Sequence, residues 1–129
     1  MRLHHVQVAM PAGAEDAARR FYRDGLGMTE VEKPADLRAR GGAWFRAYDA
    51  AGAVRAEIHV GVEHPFAPAR KAHPALVLDS AAELDALAAR LGALGFEVDH
   101  SQRTTFPGHL RWHTYDGHGN RVEVLAPHG

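Results

Sequence analysis

The chain repeats itself. Shifting the 129-residue sequence by 68 positions aligns His5 with His73, Leu26-Gly27-Met28 with Leu94-Gly95-Phe96, and Trp44 with Trp112. The shift shortens to 67 for Tyr48-Asp49 against Tyr115-Asp116, and to 66 for Ala56-Glu57-Ile58 against Val122-Glu123-Val124. A drift in one direction is what small loop deletions produce, and five matches in the same order define a duplicated unit. Whatever one half folds into, the other must fold into as well.

Each half reads strand, helix, then three further strands. Residues Leu3 to Met10 alternate, with Val6, Val8 and Met10 on one face and His5, Gln7 and Ala9 on the other. Ala14, Ala17, Ala18 and Phe21 recur at helical spacing and predict a helix over 14–24, with Gly25 just past its end. In the second half Ser80 and Glu83 form a capping box, and Leu84, Leu87 and Leu91 make one apolar stripe that stops at Gly92. Short strands are expected at Thr29 to Glu32, Ala43 to Tyr48 and Arg55 to Val62, then at Glu97 to His100, Leu110 to Tyr115 and Arg121 to Leu125. Turns such as Asp116-Gly117-His118-Gly119-Asn120 separate them. The expected fold is α+β: two βαβββ modules forming a curved, partly closed mixed sheet with helices outside. The modules are residues 1–64 and 73–129, joined by a linker at 65–72 that carries Pro65 and Pro68 and forms with them one domain.

Composition narrows the function classes. Fifteen Lys and Arg against sixteen Asp and Glu leave a net charge of −1, which gives no reason to expect nucleic acid or an anionic membrane as partner. With no cysteine, disulfides, thiolate metal sites and cysteine nucleophiles are excluded. The longest apolar run, Ala75 to Leu78, is far short of the ~20 residues that span a bilayer. Met1-Arg2-Leu3-His4-His5 lacks the apolar stretch of a signal peptide. A cytoplasmic protein acting on a small molecule is expected, and a homodimer, because short strands leave edges that need covering. Ten histidines supply an unusual stock of metal ligands and proton carriers.

Strand parity collects those ligands. Val6 and Val8 share a face and leave His5 opposite; Ile58, Val60 and Val62 leave Glu57 and His59; Leu76 and Leu78 leave His73; Val122 and Val124 leave Glu123. With helices over the apolar faces, these five residues line one concave surface. Imidazoles and carboxylates together suit one divalent first-row ion, and two His with a carboxylate leave positions open for substrate. Such an ion polarises substrate oxygens or acidifies water. His64, His100 and His128 lie in polar or terminal stretches and read as surface, while His109, His113 and His118 cluster around a strand and turn and could form a second site, although their spacing matches no strong ligand pattern. Phe21-Tyr22 reads as core. Trp44 and Trp112 fit core filling and cavity lining equally; with Arg111, which suits a carboxylate or phosphate, they are the candidates for substrate contact.

The doubled βαβββ pattern, the histidine opening each half, the helix ending FYRDGLGM and the terminal DGHGNRVEVL resemble the vicinal oxygen chelate superfamily. This group includes glyoxalase I, bleomycin-resistance proteins, fosfomycin-resistance enzymes and extradiol dioxygenases, and the resemblance runs from Leu3 to Pro127. It implies one divalent ion (Zn, Ni, Mn, Co or Fe) chelated by two neighbouring oxygens of a small metabolite. The layout of small bacterial glyoxalase I implies ligands at His5, His73 and Glu123, with the fourth-strand ligand at Glu57 or, one pleat further on the same face, at His59. Fosfomycin-resistance enzymes imply the triad His5, His73 and Glu123 alone. A glyoxalase-like reaction implies a glutamate that moves a proton, a role for Glu123 or Glu57. The expected function is a metal-dependent glyoxalase-like lyase or isomerase, the alternatives being a bleomycin-resistance-like binding protein without catalysis or a dioxygenase. No cluster of arginines suited to glutathione is apparent.

Overall fold

The computed structural model describes residues 1–128; Gly129, the end of the expected second module, lies outside the described residues. Strands β1 (Val6–Met10), β2 (Thr29–Val31), β3 (Ala43–Tyr48) and β4 (Val54–Val62) form a sheet in the order β1-β4-β3-β2. Strands β5 (Ala75–Val77), β6 (Val98–Asp99), β7 (His109–Tyr115) and β8 (Arg121–Pro127) form a second in the order β5-β8-β7-β6. In each sheet the first strand pairs parallel with the last and the remaining pairs are antiparallel. The α+β architecture of two βαβββ modules is thus present, as two unclosed mixed sheets.

Several boundaries differ from the expected ones. Strand β1 starts at Val6 and β5 at Ala75, so His5 and His73 sit just before their strands, exposed. The first helix is α-helical only over Glu15–Ala18 (α1) and widens into π-helical turns over Arg19–Gly25, where Leu26 N–H reaches back to Phe21 O at 2.8 Å. The wider turn accommodates two adjacent fully buried rings, Phe21 and Tyr22. A short helix, α2 (Ala35–Arg38), interrupts the β2–β3 connection, where no element was expected. Helix α3 (Ala81–Ala93) begins as predicted, with Ser80 Oγ accepting from Glu83 N–H, but it runs through Gly92. It stops where Gly95 takes a φ of 89°, a conformation only glycine adopts without strain.

Parity of the middle strands requires one correction. Phe45 pairs with Ile58 in the first sheet, and Trp112 pairs with Val124 in the second. The structural counterpart of Trp112 is therefore Phe45, not Trp44, and the shift of 67 seen at Tyr48 and Tyr115 governs these whole strands. Both rings are fully buried, and Trp112 donates Nε1–H to Leu84 O at 3.1 Å. Trp112 is core beneath α3, on the opposite face of its strand from any ligand. Burial of this size makes Trp112→Ala cost about 3–5 kcal/mol.

The two motifs FYRDGLGM and DGHGNRVEVL meet in space. Tyr22 donates its hydroxyl to Asp116 Oδ2 at 2.6 Å, and Asp116 also accepts from the N–H groups of His118 and Asn120. Asn120 Nδ2 donates to Ala9 O at 2.7 Å, fastening the second module's turn to β1. Gly117 lies against the backbone of Ala17, whose oxygen would be 2.6 Å from an added Cβ, so a side chain there would push the modules apart. Helix α3 adds a further tie, Arg90 Nε–H to Gly25 O at 2.8 Å.

Candidate metal centre

Parallel pairing decides which ligands meet. Val6 pairs with Ile58, which puts His5 beside Glu57; Ala75 pairs with Glu123, which puts His73 beside Glu123. Each module gathers its own histidine and glutamate. Two groups have ligand atoms all within 4.8 Å of one another: His4, His5 and Glu57 in the first module, and His73, His113 and Glu123 in the second. The expected set of His5, His73 and Glu123 is not gathered into one group; His73 and Glu123 are together, and His5 stands in the other. His4, His5 and Glu57 of the first group and His73 of the second border one cavity of about 560 Å³ between the modules, lined also by Met28, Leu76 and Leu87.

In the second module His73 presents itself as a ligand. Its Nδ1 lies 2.8 Å from the carbonyl oxygen of Lys71, and because a carbonyl only accepts, Nδ1 carries the proton. In the neutral ring this tautomer leaves Nε2 as the lone pair, 3.7 Å from Glu123 Oε1. Metal-binding histidines are held in this way by an outer acceptor, so the donor set fits a divalent ion. Glu123 is 4% exposed and is gripped at one oxygen: Oε1 accepts from Arg111 Nη1 at 2.7 Å and from His113 Nε2 at 3.0 Å. Its other oxygen accepts no hydrogen bond among the described residues. Burial, and then the nearby Arg121 charge, push the His113 imidazole below its ordinary pKa, so it is neutral at pH 7.

The first module is built differently. Glu57 is buried, and both its oxygens are taken, Oε1 by Arg46 Nε at 2.6 Å and Oε2 by His59 Nε2 at 2.6 Å. Burial pushes this carboxyl upward, but the hydrogen bonds from His59 and Arg46 outweigh it and hold the pKa below the usual carboxylate range. Such a carboxylate is a poor proton acceptor near neutral pH, and each of its oxygens already serves one donor, leaving an ion only the second lone pair of each. The expected catalytic role of Glu57 therefore meets a physical obstacle. His59 is also enclosed: its ring stacks on Trp44 at 3.9 Å with 2° between planes and on His5 at 4.0 Å, and burial lowers its pKa despite Glu57. Its Nε2 faces the carboxylate rather than open space, and His59 stands outside both three-residue ligand groups.

The other expected contacts divide similarly. Trp44 is a stacking plate for His59, its direct partner across β3 and β4, and Trp112 is core. Arg111 does reach the site, as Glu123's partner. His113 was missed because its spacing matches no ligand pattern; the readable signal was register, since it lies directly opposite Glu123 in β7 and β8. A groove of about 670 Å³ beside Glu57 brings together Arg2, Arg46 and Arg55, a basic cluster that is scattered along the sequence and was not expected. No helix among the described residues is long and apolar enough to cross a membrane.

This fold and its paired His–Glu groups define a class of duplicated-module proteins, and the family follows from comparison. The chain belongs to the Glyoxalase/Bleomycin resistance protein/Dioxygenase superfamily, whose model matches residues 2–124. It is similar to the crystal structure of a glyoxalase family protein from Bacillus anthracis, with 38% identity, 99% of this chain and 100% of that one covered, and a TM-score of 0.81. The fosfomycin resistance protein FosX from Listeria monocytogenes shares the fold at 17% identity, with 99% and 94% covered and a TM-score of 0.71. FosX from Mesorhizobium loti does so at 18% identity, with 98% and 92% covered and a TM-score of 0.69. No curated protein sequence matches the chain.

Proposed function

We propose that this protein is a divalent-metal-dependent, glyoxalase-like lyase or isomerase acting on a small metabolite with two neighbouring oxygens. One observation carries the reading: His73, on the wall of the cavity and with its outer nitrogen committed to Lys71, holds Nε2 3.7 Å from Glu123, which keeps one oxygen free of hydrogen bonds. His73 and Glu123 hold the ion, with His5 supplying the third ligand from the other wall, either across this cavity or across a homodimer. A bound divalent ion supplies Lewis acidity, polarising adjacent substrate oxygens. The protein's own groups do the rest. Arg111 orients Glu123, whose oxygen not held by Arg111 and His113 would bind the ion and, when released from it, would accept a proton from a substrate carbon. Met28, Leu76 and Leu87 exclude water from the substrate's apolar part. Exposed Leu3, Val62 and Val77 supply apolar surface for a second copy, and the protein works in the cytoplasm.

Metal analysis of the purified protein tests this. Zn, Ni, Mn, Co or Fe is expected at one ion per site, with turnover of dicarbonyl-derived or diol substrates lost on chelation and restored by the ion. His73→Ala and Glu123→Gln are each expected to abolish binding; unchanged metal content in both overturns the reading. Light scattering is expected to give the mass of a dimer. The largely apolar cavity lining favours one second reading, a bleomycin-resistance-like protein that sequesters a ligand. Stoichiometric ligand binding by metal-stripped protein, without turnover, would establish it instead.

A further inference from the structure

We infer that His113 is a positioning residue rather than a third metal ligand: together with Arg111 it pins Oε1 of Glu123, so that Glu123 engages the ion through its other oxygen. The inference rests on the metal-dependent reading above and assigns roles within that site.

The argument begins with hydrogen-bond accounting. His113 is 2% exposed; its Nε2 faces Glu123, and its Nδ1 is buried without any partner. The ring carries one proton when neutral, on one nitrogen or the other. As a ligand through Nε2 it would carry that proton on Nδ1, leaving a buried N–H with no acceptor, whereas metal-binding histidines nearly always hand that proton to an outer partner. As a donor through Nε2 it leaves only an unpaired acceptor, the better tolerated of the two defects. Nδ1 itself is sealed from solvent and out of an ion's reach. His73 shows the opposite arrangement, with its outer nitrogen satisfied by Lys71 and its inner one bare.

Arg111 completes the grip. Besides Glu123, its guanidinium donates to Thr105 Oγ1 at 2.8 Å and to Gln102 O at 3.3 Å, and it lies over the Phe106 ring at 5.5 Å. Anchored on the β6–β7 loop, it is fixed before any ion arrives. Two donors on one oxygen set the carboxylate plane and occupy both lone pairs of Oε1, which lies 3.7 Å from His73 Nε2, so the second oxygen is the one left for an ion.

Zinc affinity of wild type, His113→Gln and His113→Ala, measured by chelator competition, tests the assignment. Glutamine can place an N–H near the position of Nε2, so His113→Gln should bind zinc within about threefold of wild type, while His113→Ala should bind about 10–100-fold more weakly, as loss of an outer partner does. X-ray absorption at the zinc edge should count the same number of imidazoles in wild type and His113→Gln. Loss of one imidazole in His113→Gln, or affinity as poor as that of His113→Ala, overturns this inference while leaving the metal site standing. If His113→Ala fails to fold, the glutamine variant and the imidazole count decide alone. Failure of the wild type to bind zinc, nickel, cobalt, manganese or iron overturns the functional reading and this inference with it.

Discussion

The two modules are copies in topology and opposites in chemistry at the same place. Each has a glutamate on its last strand, Glu57 or Glu123, buried on the face away from the helices. Opposite the glutamate stands Arg46 in the first module and His113 in the second; two residues earlier on that strand stand Trp44 and Arg111; two residues beyond the glutamate stand His59 and Leu125. In the first module arginine and histidine approach different oxygens and close the site. In the second they share one oxygen and leave the other open. A duplicated scaffold thus carries one carboxylate with a donor on each oxygen and one with both donors on a single oxygen. The exchange of side chains between pleat positions, together with a parallel register that sets His5 opposite Glu57 but Ala75 opposite Glu123, separates an ion pair from a candidate ligand.

The sharpest way to break this comparison is to neutralise each glutamate in turn. Glu123→Gln should weaken divalent metal binding by a hundredfold or more, about 3 kcal/mol, whereas Glu57→Gln should leave it within about threefold by titration calorimetry. Equal losses in both variants would mean that the open and closed sites are not distinct. Stability should respond in the reverse sense. Glu57→Leu strands His59 without its acceptor and sends Arg46 to water, and should cost about 2 kcal/mol in urea unfolding of metal-free protein. A change under about half a kcal/mol would show that the closed site holds nothing together.

Acid should act on both centres. An imidazole whose folded pKa lies below its unfolded value of about 6.5 stays neutral while the unfolded chain takes up protons, so its contribution is present above that value and is lost as pH falls below it. His59 and His113 are both of this kind. Glu57, held below its ordinary value, withdraws a further contribution as pH falls through the carboxylate range. Metal-free protein should therefore melt several degrees lower, about 3–5 °C per kcal/mol, at pH 5 than at pH 7. A His59→Gln, His113→Gln double variant should flatten the upper part of that slope; an unaltered slope would sink the assignment. The smallest effect belongs to the stack on His59. Trp44→Leu should cost about 0.5–1.5 kcal/mol with metal affinity unchanged; a fall in metal affinity would make Trp44 part of the binding site.

Much of this architecture was legible. Alternation found the faces of Glu57, His59 and Glu123, and the repeat found the module order, because one buried face imposes period two on every strand. The FYRDGLGM and DGHGNRVEVL motifs were visible but their meaning was not: the Tyr22–Asp116 bond spans 94 residues and no local pattern records it. Trp44 and Trp112 misled because identical letters aligned at a shift one residue off the true one, and one residue moves a side chain to the other face. His5 and His73 were rightly seen as related, and both line one cavity, each from its own group of ligands. Parallel pairing within each module gave each histidine its own glutamate.

The amino-acid order alone settled the duplication, the alternation of buried and ligand-bearing faces, and the absence of any thiol chemistry, since all three are matters of spacing and composition along a chain. Only the folded arrangement decided that Glu57 is closed and Glu123 open. Which oxygen a donor reaches depends on cross-strand register and side-chain direction, distances of a few ångströms between residues ten or more apart, and one-dimensional spacing does not encode them.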